Sequence, residues 1–354
     1  MVFMSYDFFR TLGTLLLASA LLGVGLSLSG CDSTGSNGEG NDGDEVTVAV
    51  DSPLLYYEVN RDLEGTVYTA EADGSNRSEV ADSIDLGIAR WADSRSTVVY
   101  FRDSTLYRAD PDGTGEEIIL DREAGFFQMD ASSDQIAFTV GGEQGIFVVG
   151  LDGTGLAKVV DRRISNVRLS PDGSRILFNE VSSGNRDLFT VPVDGSASPT
   201  RLTSGRETEQ FTWSPDGSDV AFRDDSSGNL YRVPADGSSD ASQLTDGPAS
   251  DFTPDWHGSE IVFSSRNRNG ENQGLIYKMD ADGSDITQLT EVQESENASE
   301  KDQNPVWAPN GEGIAFISPL RNDSRKSDVF VITPSGEGPA PVTETSIPTN
   351  VIDW

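Results

Sequence analysis

Few side chains in this sequence can do covalent or metal chemistry. There is one cysteine, Cys31, and one histidine, His257. That inventory excludes a disulfide framework, a cysteine-rich zinc site and a multi-histidine metal centre. A Ser-His-Asp triad would have to use His257, which sits next to Gly258 in a turn, so no catalytic residue is assigned. The run Asp280-Ala281-Asp282-Gly283-Ser284-Asp285, with Glu291 eleven residues after Asp280, superficially has the acidic spacing of a calcium loop. Its glycine falls at the fourth position rather than the sixth, however, and the segment recurs as a β-turn, so no metal and no cofactor is expected. The remaining chemistry is charge recognition. Arg266 and Arg268 lie in one long loop, Arg321, Arg325 and Lys326 in another, and an acidic stretch over 291–302 separates them. Such a patch could grip a carboxylate-bearing glycan or an acidic peptide through bidentate arginine contacts. Alternatively, the cations pair with the acidic loop between them.

Cys31 is placed by what precedes it. Residues 11–30 carry no charge, follow Arg10, and end in small residues. This is the charged start and apolar run of a secretory signal. Leu28-Ser29-Gly30-Cys31 resembles the bacterial lipobox, which implies cleavage before Cys31 and lipidation of its thiol. A retained membrane-spanning anchor is the competing reading, since 20 apolar residues can cross a bilayer. Residues 1–30 are therefore expected to be a lipoprotein signal peptide. Residues 31–46 are expected to be the lipidated Cys plus a flexible acidic tether, since 32–45 contain no hydrophobic residue. Asp32 resembles an inner-membrane retention signal in some bacteria but not others. The expected location is the cell envelope, on the periplasmic or surface side, with the outer membrane preferred over the inner.

The chain has 354 residues, with 59 acidic against 25 basic, for a net charge of -34. A field of that sign repels a phosphate backbone, so nucleic-acid binding is excluded as a main role. Hydrophobic residues make up 36%, enough to bury a core. Only four of the basic residues are lysine, and most of the acids are spread along the chain. A surface of this kind repels itself in dilute buffer and is tolerated where ions screen it, so a salt-adapted protein is expected, with a merely acidic, highly soluble extracytoplasmic protein as the alternative; a monomer is expected.

The elements that position these residues are repeats. Trp213-Ser214-Pro215-Asp216-Gly217 leads to Val220-Ala221-Phe222, then Leu230-Tyr231-Arg232-Val233, a turn at Asp236-Gly237, and Gln243-Leu244-Thr245. Positions aligned with Trp213 are Trp91, Met129, Leu169, Trp256, Trp307 and Trp354; turns aligned with Asp236-Gly237 recur from Asp73-Gly74 to Ser335-Gly336. Residues 47–354 thus divide into seven units of about 44 residues, each with four short strands and hairpin turns. The prediction is an all-β, seven-bladed β-propeller of four-stranded blades, with six blades as the alternative. The first unit begins at Leu54-Leu55-Tyr56-Tyr57 without an innermost strand, and Val351-Ile352-Asp353-Trp354 ends the chain as a lone one. Pairing the two would close the ring and remove an exposed edge.

These motifs resemble the TolB-type propeller, over about 300 residues. TolB itself has an α/β domain before six blades, so its Tol-Pal role is not implied. The expected function is a membrane-anchored lipoprotein whose propeller is a binding scaffold for an envelope protein or acidic glycan. The alternative is a calcium-dependent propeller hydrolase or lyase. The Pro-Asp-Gly and Asp-Gly turns should lie on one face and the variable loops on the other, where repeat proteins usually bind.

Overall fold

Short apolar runs alternating with Asp-Gly turns produce seven four-stranded antiparallel sheets, seen in a computed structural model. The described residues are 50, 52–59, 65–84, 89–121, 126–182, 184–268, 270, 273–291, 302–319, 327–343 and 349–354. They belong to one unit, Glu45–Trp354. The sheets form the ring of a seven-bladed β-propeller. Blade 5 shows the plan from centre to rim: Phe211–Trp213, Asp219–Asp224, Asn229–Pro234 and Ser242–Gln243. Blade 1 draws its innermost strand, Thr349–Asp353, from the end of the chain, paired antiparallel with Leu54–Val59. The closure expected from the register of the repeats is therefore present, with Trp354 buried and its indole N–H donating to Ser52 O at 2.8 Å.

Each part of the repeat has a physical task. The second and third strands of every blade carry a cross-strand aromatic pair: Tyr56–Tyr68, Tyr100–Tyr107, Phe138–Phe147, Phe178–Phe189, Phe222–Tyr231, Phe263–Tyr277 and Phe316–Phe330. Ring centroids are 5.6 to 5.9 Å apart, so one contact geometry is reused around the ring. Apolar side chains fill the spaces between blades, as where Leu177 and Leu188 of blade 4 meet Trp213 and Val233 of blade 5. The Leu-Thr motif ends the ladder: the hydroxyls of Thr203, Thr245, Thr290 and Thr343 accept from Leu188, Leu230, Ile276 and Val329 N–H at 2.9 to 3.0 Å. In the Ser-Pro-Asp-Gly turn, Asp216 accepts from Ser214 Oγ at 2.7 Å and from Ser218 N at 3.0 Å. These donors hold its carboxyl down to about 2.

One alignment is corrected. Trp213 pairs with Val220, and the residue holding the same place in blade 3 is Ala131, opposite Ile136, rather than Met129. The turn after Ala131 is two residues shorter than the Pro-Asp-Gly turns, which displaced the match. His257 ends the inner strand Ser250–His257 of blade 6 and packs on Trp307 at 5.7 Å between centroids. Gly311 lies close enough that an added Cβ would meet His257 Nε2 at 2.5 Å, so the imidazole fills an interblade contact.

Candidate functional site

Side chains alternate across a strand, so the residue before each Trp-type position takes the opposite face of its blade, and on these innermost strands several such residues border the central cavity. On blades 1 to 7 these residues are Asp353, Arg90, Asp130, Arg168, Thr212, Asp255 and Val306. Four successive positions alternate in sign. Arg90 Nε lies 3.6 Å from Asp130 Oδ1. The three aspartates also join blade to blade: Asp353, Asp130 and Asp255 accept from the main-chain N–H of Trp91, Leu169 and Trp307 at 3.2, 2.7 and 2.7 Å. Burial raises the carboxyls of Asp130 and Asp255 above the usual range, against the pull of Arg168 and Arg90 on Asp130 and of the amides on both, and it lowers Arg90.

At the face bearing the variable loops, the channel widens into a cavity of about 370 Å³, bordered by Arg90, Asn166, Arg168, Gln210, Asp255 and Asn304. A second cavity of about 180 Å³ reaches outward between blades and includes Arg266 and Asp302. The two share Gln210, Thr253 and Asn304 as walls. The inner strands of blades 6 and 7 are bulged here, between Phe252 and Asp255 and between Gln303 and Val306. Thr253 and Asn304 take φ of 45° and 52°. A β-branched residue in that region is strained, and both bulges and such strain concentrate at functional sites. Gln210 Oε1 accepts from Thr253 N–H at 2.9 Å and holds the bulge.

The sequence-predicted cations separate. Arg268 is spent on structure: it pairs with the fully buried Asp251 at 2.6 Å and bonds Ser265 Oγ at 3.3 Å. Arg266 lines the second cavity, and its buried Nε has no hydrogen-bond partner. Arg321, Arg325 and Lys326 lie outside the described residues, as do Leu28, Ser29, Gly30 and Cys31. Asp282 accepts from Ser284 N at 2.9 Å, as a turn aspartate does. Sequence reasoning missed the channel ring. Its signal was the residue before each Trp, which varies too much to enter a repeat consensus.

Among the described residues no group of three or more His, Cys, Asp or Glu side chains is placed to share a metal ion. The channel carboxylates already hold amides of the next blade. The geometry suits recognition: a polar, charge-lined mouth on a rigid closed ring.

Together the fold and mouth define a β-propeller scaffold. The chain belongs to the TolB β-propeller domain family, matched over residues 94–337. An uncharacterized protein of Agrobacterium fabrum is 27% identical over 158 residues, covering 42% of this chain and 52% of that protein. The chain thus spans about half of that relative's length. TolB from Acinetobacter baumannii aligns with a TM-score of 0.52 at 20% identity, over 73% of this chain and 67% of that one. Oligogalacturonate lyase from Vibrio parahaemolyticus aligns with a TM-score of 0.59 at 13% identity, over 80% and 92%. At these identities the structures establish the shared fold alone.

Proposed function

We propose that the protein is a lipid-anchored envelope scaffold that captures an envelope protein or acidic glycan at the loop-face mouth of its channel. The carrying observation is the pair of linked cavities, with strained backbone at Thr253, a left-handed Asn304 and the Arg168 guanidinium on their walls. A metal-dependent hydrolase or lyase finds less support, because the three channel aspartates are engaged in joining blades. The lipobox-like Leu28-Ser29-Gly30-Cys31 supports the anchor.

The test is photo-crosslinking in intact cells from a probe at Asn166, comparing the parent chain with Arg168→Gln and Cys31→Ser. The expected outcome is a captured envelope partner that disappears with Arg168→Gln, and release of the Cys31→Ser chain from the membrane fraction. Capture unaffected by Arg168→Gln would move binding away from the mouth.

A further inference from the structure

We propose that the linked cavities take an acidic oligosaccharide, with Arg168 and Arg266 each holding one sugar carboxylate; this rests on the mouth being the binding face. The first ground is guanidinium groups with no carboxylate in direct contact. In a chain of net charge -34, neighbouring arginines have carboxylate partners: Arg162 with Glu180 at 2.6 Å, Arg186 with Glu209 at 2.5 Å, Arg206 with Asp224 at 2.5 Å. Among the described residues Arg168 and Arg266 make no such close ion pair, although Arg168 acts electrostatically on the buried carboxyls of Asp130 and Asp255. Arg168 donates only to its neighbour Val167 O at 3.3 Å, and Arg266 Nε is buried without a partner. A desolvated guanidinium with open donors is costly, and a bidentate carboxylate is the group that best offsets the cost.

The second ground is placement. The two guanidinium groups border cavities that share Gln210, Thr253 and Asn304 as walls, so one ligand can reach both. Neutral polar groups line the same walls: the amide nitrogen of Gln210, the carboxamide of Asn304 and the hydroxyl of Thr212, while the carboxamide of Asn166 is bonded to Glu209 O and Val167 N–H. That mixture matches sugar hydroxyls. Of the acidic residues lining the cavities, Glu209 holds Arg186 and Asp255 holds Trp307 N–H, while the fully buried Asp302 shares the wall of the second cavity with Arg266.

The third ground decides against a peptide. An extended peptide binds by adding a strand to open edge amides. Around this channel those amides are capped by side chains: Trp91, Leu169 and Trp307 by aspartates, Asn166 by Asn179 Oδ1 at 2.8 Å, and Thr253 by Gln210. Little main chain is left to pair with.

Calorimetry on the full chain in detergent, at 1 M NaCl where the Debye length is about 3 Å, tests the proposal. The probes are trigalacturonate, its methyl-esterified form and a Glu-Glu-Glu peptide. Trigalacturonate should bind, and the ester, which keeps the sugar and loses the charge, should bind at least about tenfold more weakly. Arg168→Gln and Arg266→Gln should each weaken trigalacturonate about tenfold, with Arg108→Gln, at an outer ion pair with Glu117, as the unchanged control. Variants are compared only if their melting temperatures match the parent; the ester comparison needs no variant. Equal binding of acid and ester overturns the proposal. Peptide binding that depends on Arg168 and Arg266, without sugar binding, overturns the glycan class and leaves the mouth as the binding face. If no probe binds while crosslinking still depends on Arg168, the proposal again falls and the scaffold reading stands. If crosslinking is also indifferent to Arg168, both fall.

Discussion

Arg266 and Arg268 are two residues apart and serve different ends. The strand Glu260–Arg266 stops at Arg266, and Asn267 turns the chain with φ of 63°. Arg268 is thereby folded back over Phe263 and Tyr277, 5.5 and 5.9 Å from their ring centroids, onto Asp251. Asp251 has no exposed surface, so removing its cation leaves a buried charge uncompensated. Arg268→Ala should lower unfolding free energy by about 3–5 kcal/mol, whereas Arg266→Ala, which removes a buried N–H with no acceptor, should not lower it. Denaturant unfolding of the two variants checks this, and equal losses would contradict the division of roles. The sequence showed both arginines in one loop but could not separate them, because the distinction depends on a left-handed residue between them and on an aspartate from the preceding strand.

The element that recurs most faithfully is the turn between third and fourth strands, and its glycine is required twice over. Gly283 has φ of +89°, and a Cβ there would lie 2.5 Å from Leu244 O of the preceding blade. The same approach is made at Gly74 to Val342 O, at Gly113 to Glu79 O and at Gly153 to Ile119 O, at 2.5 to 2.7 Å. The turn of one blade thus rests on the outer strand of the one before, which makes a local hairpin residue part of the interblade contact. Gly283→Ala should cost about 1–2 kcal/mol for the left-handed backbone alone, with the backbone clash adding to it. A melting temperature equal to the parent's would show that blades 5 and 6 tolerate separation there. These turns, the blade count and the closing strand were legible because they repeat with fixed chemistry. The shorter turn after Ala131 was not, and it shifted the alignment to Met129. The channel ring was hidden for the opposite reason. Its positions hold Asp, Arg, Asp, Arg, Thr, Asp and Val, so the site lies where the repeat stops repeating.

At the scale of the whole molecule two electrostatic effects oppose each other when salt is added. Screening weakens the ion pairs that bridge strands and blades, and it relieves the mutual repulsion of a body with net charge -34. The pairs differ in exposure. Arg108–Glu117 and Lys158–Asp161 are open to solvent and are each worth at most about 1 kcal/mol. Arg268–Asp251 is buried and little screened. Loss from the pairs is therefore small, whereas the repulsion sums over acids distributed around the whole ring. Relief of repulsion should win, and the melting temperature should rise steadily from 0.05 M to about 2 M NaCl. Potassium chloride should act equally if screening is the cause. A melting temperature that falls with salt would mean that the pairs outweigh the net charge. The propeller would then be an acidic fold held by ion pairs, and the salt adaptation proposed from its composition would be wrong.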